Sequence, residues 1–176
     1  MKKIFIAALS DEVIGLDYFH ISGVGKINAT IKTLNLINEF KPNQIINFGT
    51  AGAINPDMSG IIECTKFYQR DMDCRGLLDF KLGQTPFDNI NEISFSEEGY
   101  RCGTGDSFVK SKIEIKVDIV DMEAYAIAKV CLLNNVNFRC FKFISDKADE
   151  NANISWEENL KLGAKKFEEL RKKIFL

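Results

Sequence analysis

The chain has 176 residues, 45% of them hydrophobic, which suits one domain with a buried core over residues 1–176. Its net charge is −2 and no long run of one sign occurs, so we expect neither a nucleic acid nor a membrane surface as the main partner. Five cysteines, none in a CxxC pair, and a single histidine argue against a zinc site or a disulfide framework. We therefore expect no metal, no cofactor, no membrane span and a reducing, cytoplasmic location.

The first part of the chain alternates between short apolar strands and one helix. Residues 3–9 are predicted to form a buried strand that ends at a polar cluster containing Glu12. Residues 18–22 follow as a short strand, and residues 26–40 are predicted to form an amphipathic helix. Its apolar residues recur at helical spacing: Ile27, Ile31, Leu34, Ile37 and Phe40.

The middle of the chain contains two further strands and two glycine-rich turns. Strands are predicted at residues 44–48 and 61–69, and residues 70–99 are polar without a clear pattern. The segment 49–54 (GTAGAI) is predicted to be a loop in which backbone N–H groups can approach a ligand. It lacks the Gly-Lys-Ser/Thr of a phosphate-binding loop. The segment 102–109 (CGTGDSFV) is predicted to be a second open turn.

The last part of the chain contains a strand, an apolar helix, another strand and a closing helix. The β-branched residues Val117, Ile119 and Val120 indicate a strand that leads into a helix over residues 122–135. Residues 138–144 are predicted as a strand and residues 155–174 as a helix. Trp156 is assigned to the structural face of that closing helix. The alternation of strands and helices predicts an α/β fold.

Three carboxylates, Glu12, Glu123 and Asp146, lie just beyond predicted strands. Open α/β sheets bind ligands beyond the carboxyl ends of their strands, so these acids are candidate ligand contacts. Alternatively, Glu12 is a solvated turn acid and Glu123 complements the dipole of its helix. If the strands are neighbours, the acids converge on a crevice that suits a ligand rich in hydroxyls and ring nitrogens. Such a crevice suits phosphate poorly, because the turns carry no arginine.

Several motifs resemble the nucleoside phosphorylase/nucleosidase superfamily, and within it most closely the 5′-methylthioadenosine/S-adenosylhomocysteine nucleosidases. The specific motifs are GTGDSFV (103–109), VDMEAYAIAKVC (120–131) and FISDKAD (143–149), and AALSDEV, GVGKINAT and IINFGTAGAI precede them in the family's order. The resemblance implies a three-layer phosphorylase/hydrolase-like fold in which helices flank a central mixed sheet. It also implies a homodimer with sites near the interface and a small-molecule purine nucleoside as the ligand.

The resemblance also implies roles for individual residues. Glu12 matches the general base that activates water, Asp146 matches the acid that protonates purine N7, and Ser145 would orient Asp146. Glu123 and Met122 match residues that hold the ribose. Phe108 matches the ring that stacks on the base, and Val109 matches the position whose backbone meets the base edge. The turn residues expected to approach the substrate are Thr50, Ala51 and Gly52.

Phosphorylases of this superfamily bind phosphate with arginines that the matched turns of this chain lack, and the acid Glu12 would repel phosphate. Water is therefore the expected nucleophile, and a phosphorylase or a non-catalytic nucleoside-binding protein are the alternatives. The chain departs from the family's pattern in three respects. Only ten residues separate Glu12 from Gly23, and seven separate Val109 from Val117. Lys142 stands where the family often has arginine, and the 5′ substituent of the nucleoside stays open.

Overall fold

The computed structural model describes residues 2–149 and 152–175. Within these ranges the strands are β1 (Lys3–Ala7), β2 (Phe19–Ile21), β3 (Gln44–Ala53), β4 (Ile61–Gln69), β5 (Ile93–Ser94), β6 (Tyr100–Thr104), β7 (Ile119–Asp121) and β8 (Asn137–Asp146). The helices are α1 (Lys26–Phe40), α2 (Ala124–Leu133) and α3 (Ala152–Phe175), and a short 3-10 helix spans Ser10–Val13. None of the described helices is long and apolar enough to cross a membrane.

The strands form one mixed sheet in the order β2-β1-β3-β7-β6-β4-β5, and β8 pairs with both β3 and β4. Strands β3, β7, β6, β4 and β8 therefore close into a ring. The longest parallel pair is β3 with β8, which stay in register from Gln44 opposite Asn137 to Ala51 opposite Ile144. This pairing brings the ends of two strands that carry predicted site residues to the same edge.

Helices cover the sheet on two sides, which confirms the expected α/β fold with a mixed sheet flanked by helices. Helices α1 and α2 bury their apolar residues in one cluster with the sheet, which includes Leu36 and Ile127. Helix α3 contributes Phe167 to a second cluster, where its ring stacks on Phe48 with centroids 4.3 Å apart. The first cluster joins α1 and α2 to the sheet and the second joins α3 to it, so the three layers are helices, sheet and helix.

Several predicted boundaries are wrong by a few residues, and one error is informative. The predicted loop at residues 49–54 is largely strand, because β3 continues to Ala53 along β8. Gly49 is needed here because there is little room for a side chain, not because the backbone must be flexible. A Cβ at this position would lie 3.2 Å from Lys142 Nζ and 3.3 Å from Glu12 Oε1. Similarly, β8 continues through Ser145 and Asp146, α2 begins at Ala124 and α3 begins at Ala152.

Helix α1 has the predicted bounds, but of its five predicted apolar residues only Ile37 and Phe40 pack against the core. The residues that it buries are Ala29, Thr33, Leu36 and Ile37. Small side chains at two of these positions let the helix approach its neighbours closely, so the larger apolar residues turn outward. Ile27, Ile31 and Leu34 are 74%, 55% and 40% exposed, and with Val24 they form what we call the α1 apolar surface.

Candidate active site

A cavity of about 220 Å³ lies at the edge of the sheet where β3, β7 and β8 end. All ten residues that the sequence analysis assigned to substrate or catalysis line it. The three carboxylates Glu12, Glu123 and Asp146 are therefore brought together, as the strand-end rule predicted. All three are buried, so none of them is a solvated turn acid.

Glu12 lies in the 3-10 helix after β1 and is only 4% exposed. Its Oε1 accepts hydrogen bonds from the backbone N–H of Thr50 (2.8 Å) and from the Thr50 hydroxyl (2.7 Å). Its Oε2 accepts one from the backbone N–H of Leu9 at 3.2 Å. These donors hold the carboxyl group of Glu12 in one position at the cavity wall.

Asp146 is the last residue of β8, and its carboxylate is held at both oxygens. Oδ2 accepts a hydrogen bond from the Ser145 hydroxyl at 2.8 Å, and Oδ1 accepts one from the backbone N–H of Ala148 at 2.9 Å. Burial raises the pKa of Asp146 above its ordinary value despite these hydrogen bonds. Gly52 makes room for it, because a Cβ at position 52 would lie 2.6 Å from Oδ1. A carboxyl group with a raised pKa is suited to donating a proton.

Glu123 stands between β7 and α2, and its Oε1 accepts a hydrogen bond from the backbone N–H of Gly25 at 2.9 Å. Gly25 has a φ of 95°, a backbone conformation that favours glycine. Burial, and after it the charge of Asp121, raises the pKa of Glu123 to about 8, while the ammonium of Lys142 opposes the rise. Met122 lies beside it in the cavity wall. Glu123 does not cap α2 with its side chain, so the helix-dipole alternative lacks a direct contact.

A buried ion pair lies beneath these acids, between Lys142 Nζ and Asp121 at 2.8 Å. Burial alone would raise the pKa of Asp121, but Lys142 and several hydrogen bonds hold it below its ordinary value. One of those hydrogen bonds comes from the backbone N–H of Ala124 at 2.8 Å, which fixes the start of α2. Burial lowers the pKa of Lys142, yet the neighbouring carboxylate of Asp121 raises it well above its ordinary value. Asp121 belongs to the VDMEA motif, but the sequence analysis assigned it no role.

The turn after β6 carries Phe108, which is 44% exposed with its ring at the cavity. Arg70, at the end of β4, holds this turn: its guanidinium donates to the Gly105 carbonyl at 3.2 Å, the Ser107 hydroxyl at 3.2 Å and the Ser107 carbonyl. Arg70 also lines the cavity, so the site contains an arginine although its glycine-rich turns carry none. The sequence analysis missed it because it begins the segment 70–99, which has no clear pattern.

Trp156 was assigned to a structural face of the closing helix, and that assignment is wrong. Its ring lines the cavity, and its indole N–H donates to the Thr50 hydroxyl at 2.8 Å. A signal was present in the sequence, since Trp156 is the single tryptophan of the chain. As for metals, the described residues contain no group of three or more His, Cys, Asp or Glu side chains that could hold an ion.

Residues 20–101 and 101–175 match the family model of the phosphorylase superfamily. The 5′-methylthioadenosine/S-adenosylhomocysteine nucleosidase of Haemophilus influenzae is 35% identical to this chain, and the alignment covers 82% of this chain and 74% of that protein. The chain belongs to this nucleosidase family of the phosphorylase superfamily. The nucleosidase of Staphylococcus haemolyticus is 34% identical, with 82% of this chain and 74% of that protein covered.

Solved structures agree with the fold of this nucleosidase family member. The nucleosidase of Helicobacter pylori with butyl-thio-DADMe-Immucillin-A has a TM-score of 0.86 and 25% identity, and the match covers 99% of each chain. A futalosine hydrolase mutant of the same organism has a TM-score of 0.85 and 24% identity, covering 94% of this chain and 95% of that one. The second likeness supports the fold alone. The predicted superfamily is thereby confirmed.

Proposed function

We propose that this enzyme hydrolyses the N-glycosidic bond of an adenine nucleoside such as 5′-methylthioadenosine or S-adenosylhomocysteine. Adenine and the 5′-substituted ribose are the products. The observation that carries the proposal is the convergence of Glu12, Glu123 and Asp146 in one cavity, each held by hydrogen bonds. The relatives named for this activity support it.

Breaking an N-glycosidic bond develops positive charge on the sugar and negative charge on the leaving base. In our proposal Asp146 donates a proton to N7 of the base, with the Ser145 hydroxyl orienting it. Glu12 accepts a proton from the attacking water and stabilises the developing cation. Glu123 binds the ribose hydroxyls and Met122 packs against the sugar. The raised pKa of Asp146 suits its role as the proton donor.

The base and the remaining cavity wall are assigned in the same proposal. Phe108 stacks on the purine ring, since its exposed face borders the cavity. The backbone of Val109 meets the edge of the base, and residues 50–52 line the opposite wall.

Water, rather than phosphate, is the proposed nucleophile. Arg70 lines the cavity, and its two terminal nitrogens donate to Ser107 and Gly105, while its Nε has no hydrogen-bond partner among the described residues. The negative charge of the buried Glu12 carboxylate, which borders the position of the nucleophile, would also repel a phosphate dianion. Among the described residues that line the cavity, the phosphorylase alternative therefore has one cationic side chain, and that side chain holds the turn after β6.

The test measures, by chromatography, the release of adenine from methylthioadenosine and from S-adenosylhomocysteine. We expect release by the native chain and losses of about 10²–10⁴-fold for Glu12→Gln and for Asp146→Asn. Asp17→Asn is the matched control, because Asp17 is exposed and lies outside the cavity. Binding of the nucleosides without any turnover would instead favour the non-catalytic alternative.

We also propose that the enzyme acts as a cytoplasmic homodimer in which the α1 apolar surface of one protomer meets that of its partner. The surface is apolar and exposed, and Val24 belongs both to it and to the cavity wall. The five free cysteines suit a reducing compartment. Light scattering after size-exclusion chromatography tests the assembly: a dimer is expected for the native chain and a monomer for Ile31→Glu. A native monomer would contradict the proposal.

A further inference from the structure

A chain of hydrogen bonds connects helix α3 to the proposed general base. It begins at the indole Nε1 of Trp156, which lies 2.8 Å from the Thr50 hydroxyl oxygen. That oxygen lies 2.7 Å from Oε1 of Glu12. The three side chains belong to α3, to β3 and to the 3-10 helix after β1, so the chain links elements that are far apart in sequence.

The chemistry of the three groups fixes the direction of the chain. An indole N–H can only donate a hydrogen bond, and a carboxylate can only accept. The hydroxyl of Thr50 therefore accepts from Trp156 and gives its single proton to Glu12. Because each hydrogen bond polarises the next, the contact with Trp156 strengthens the donation to Glu12.

We propose that Trp156 is a positioning residue for Glu12 and that it acts through the hydroxyl of Thr50. The inference rests on the proposed function, in which Glu12 activates water. The carboxylate needs such support because its 3-10 helix is only four residues long. Among the described residues, one backbone N–H, that of Leu9, donates to its Oε2 at 3.2 Å. Small displacements of a catalytic group cost much of its rate enhancement.

A positioning role differs in its kinetic effects from a role as a simple wall of the cavity. Removing a side chain that only lines the cavity weakens substrate binding and raises KM. Loss of a contact that places the general base lowers kcat, since the bound substrate then meets a misplaced carboxylate. The variants that separate the two roles are Trp156→Phe, Thr50→Val, the combination of both, and Thr50→Ser.

The kinetic arm measures adenine release by these variants, with melting temperatures to establish that each is folded. Hydrogen bonds to charged groups are strong enough for kcat to fall about tenfold in Thr50→Val and at least about threefold in Trp156→Phe. KM should change less than about threefold in both, by the same reasoning. The double variant should be no slower than Thr50→Val, because both substitutions break one chain. Thr50→Ser keeps the hydroxyl, so its kcat should be higher than that of Thr50→Val, and the exposed Asp17→Asn should turn over like the native chain.

The spectroscopic arm needs no substrate. Trp156 is the single tryptophan of the chain, so tryptophan emission reports on its ring alone. In Thr50→Val the indole N–H loses its acceptor, and we expect the emission maximum to move to shorter wavelength. Thr50→Ser should leave the emission maximum where it is in the native chain. A role of Thr50 confined to holding the fold would not produce this pattern.

Two results would overturn the inference, and both differ from failure of the proposed function. Emission that is unchanged in Thr50→Val would remove the contact on which the chain depends, while hydrolysis would still stand. Effects of Trp156→Phe and Thr50→Val that multiply in kcat, or that appear in KM only, would make Trp156 an independent wall residue. Absence of adenine release by the native chain would contradict the proposed function itself, and with it the positioning of a base.

Discussion

Substituting Lys142 by methionine should destabilise the fold strongly. Lys142 and Asp121 form an ion pair of 2.8 Å, and their side chains are 2% and 1% exposed. Methionine removes the ammonium and leaves the Asp121 carboxylate buried without its cation. Breaking a buried pair in this way costs about 3–5 kcal/mol. A cost of that size lowers the melting temperature by about 6–20 °C for a chain of this length.

Thermal and urea unfolding of a set of variants measure this cost. Lys161→Met is the matched control, since Lys161 is exposed on α3, and it should unfold like the native chain. The double variant Lys142→Met/Asp121→Asn should be more stable than Lys142→Met alone. Its neutral amide needs no cation, and its carbonyl can still accept the hydrogen bond from Ala124. A loss below about 1 kcal/mol in Lys142→Met, or no recovery in the double variant, would refute the reasoning.

Three further predictions concern the cavity. Gly52→Ala should lower kcat at least about tenfold, because its Cβ would meet Asp146 Oδ1 at 2.6 Å and displace the acid; native kcat in an adenine-release assay would contradict this. Since the pKa of Glu123 is about 8 in the folded chain against an ordinary 4.5, the unfolded chain loses this proton first, and the free energy of unfolding should fall as pH rises from about 4.5 to about 8. Urea unfolding across that range should show a smaller fall in Glu123→Gln, and an equal fall would exclude Glu123 as the cause. Arg70→Met should free the turn that carries Phe108 and raise KM several-fold with folding retained, whereas an unchanged KM would show that the turn holds itself.

The carboxylates of the cavity could be located from the sequence because their positions depend on local patterns. A buried strand is visible as a short apolar run, and the residue after it lies at the edge of the sheet. Glu12, Glu123 and Asp146 all follow such runs. Their assignment therefore needed no knowledge of which strands are neighbours. That the three acids meet depends on the pairing of β3 with β1, β7 and β8.

The residues that sequence reasoning missed depend on packing between distant parts of the chain. Arg70 reaches the cavity only because β4 pairs with β6, and Trp156 only because α3 returns over the end of β3. The buried face of α1 was predicted correctly only at Ile37 and Phe40. Large apolar residues occupy more than one side of that helix, and the small Ala29 and Thr33 decide which side meets its neighbours. Periodicity alone does not rank those sides.

The most direct test of the proposed hydrolysis is to follow the oxygen that enters the sugar. Methylthioadenosine is incubated with the enzyme in ¹⁸O-labelled water that also contains inorganic phosphate, and the products are analysed by mass spectrometry. The proposal predicts adenine and a 5′-substituted ribose that carries one ¹⁸O at C1′, with the same rate when phosphate is omitted. A sugar 1-phosphate, formed only when phosphate is present, would contradict it.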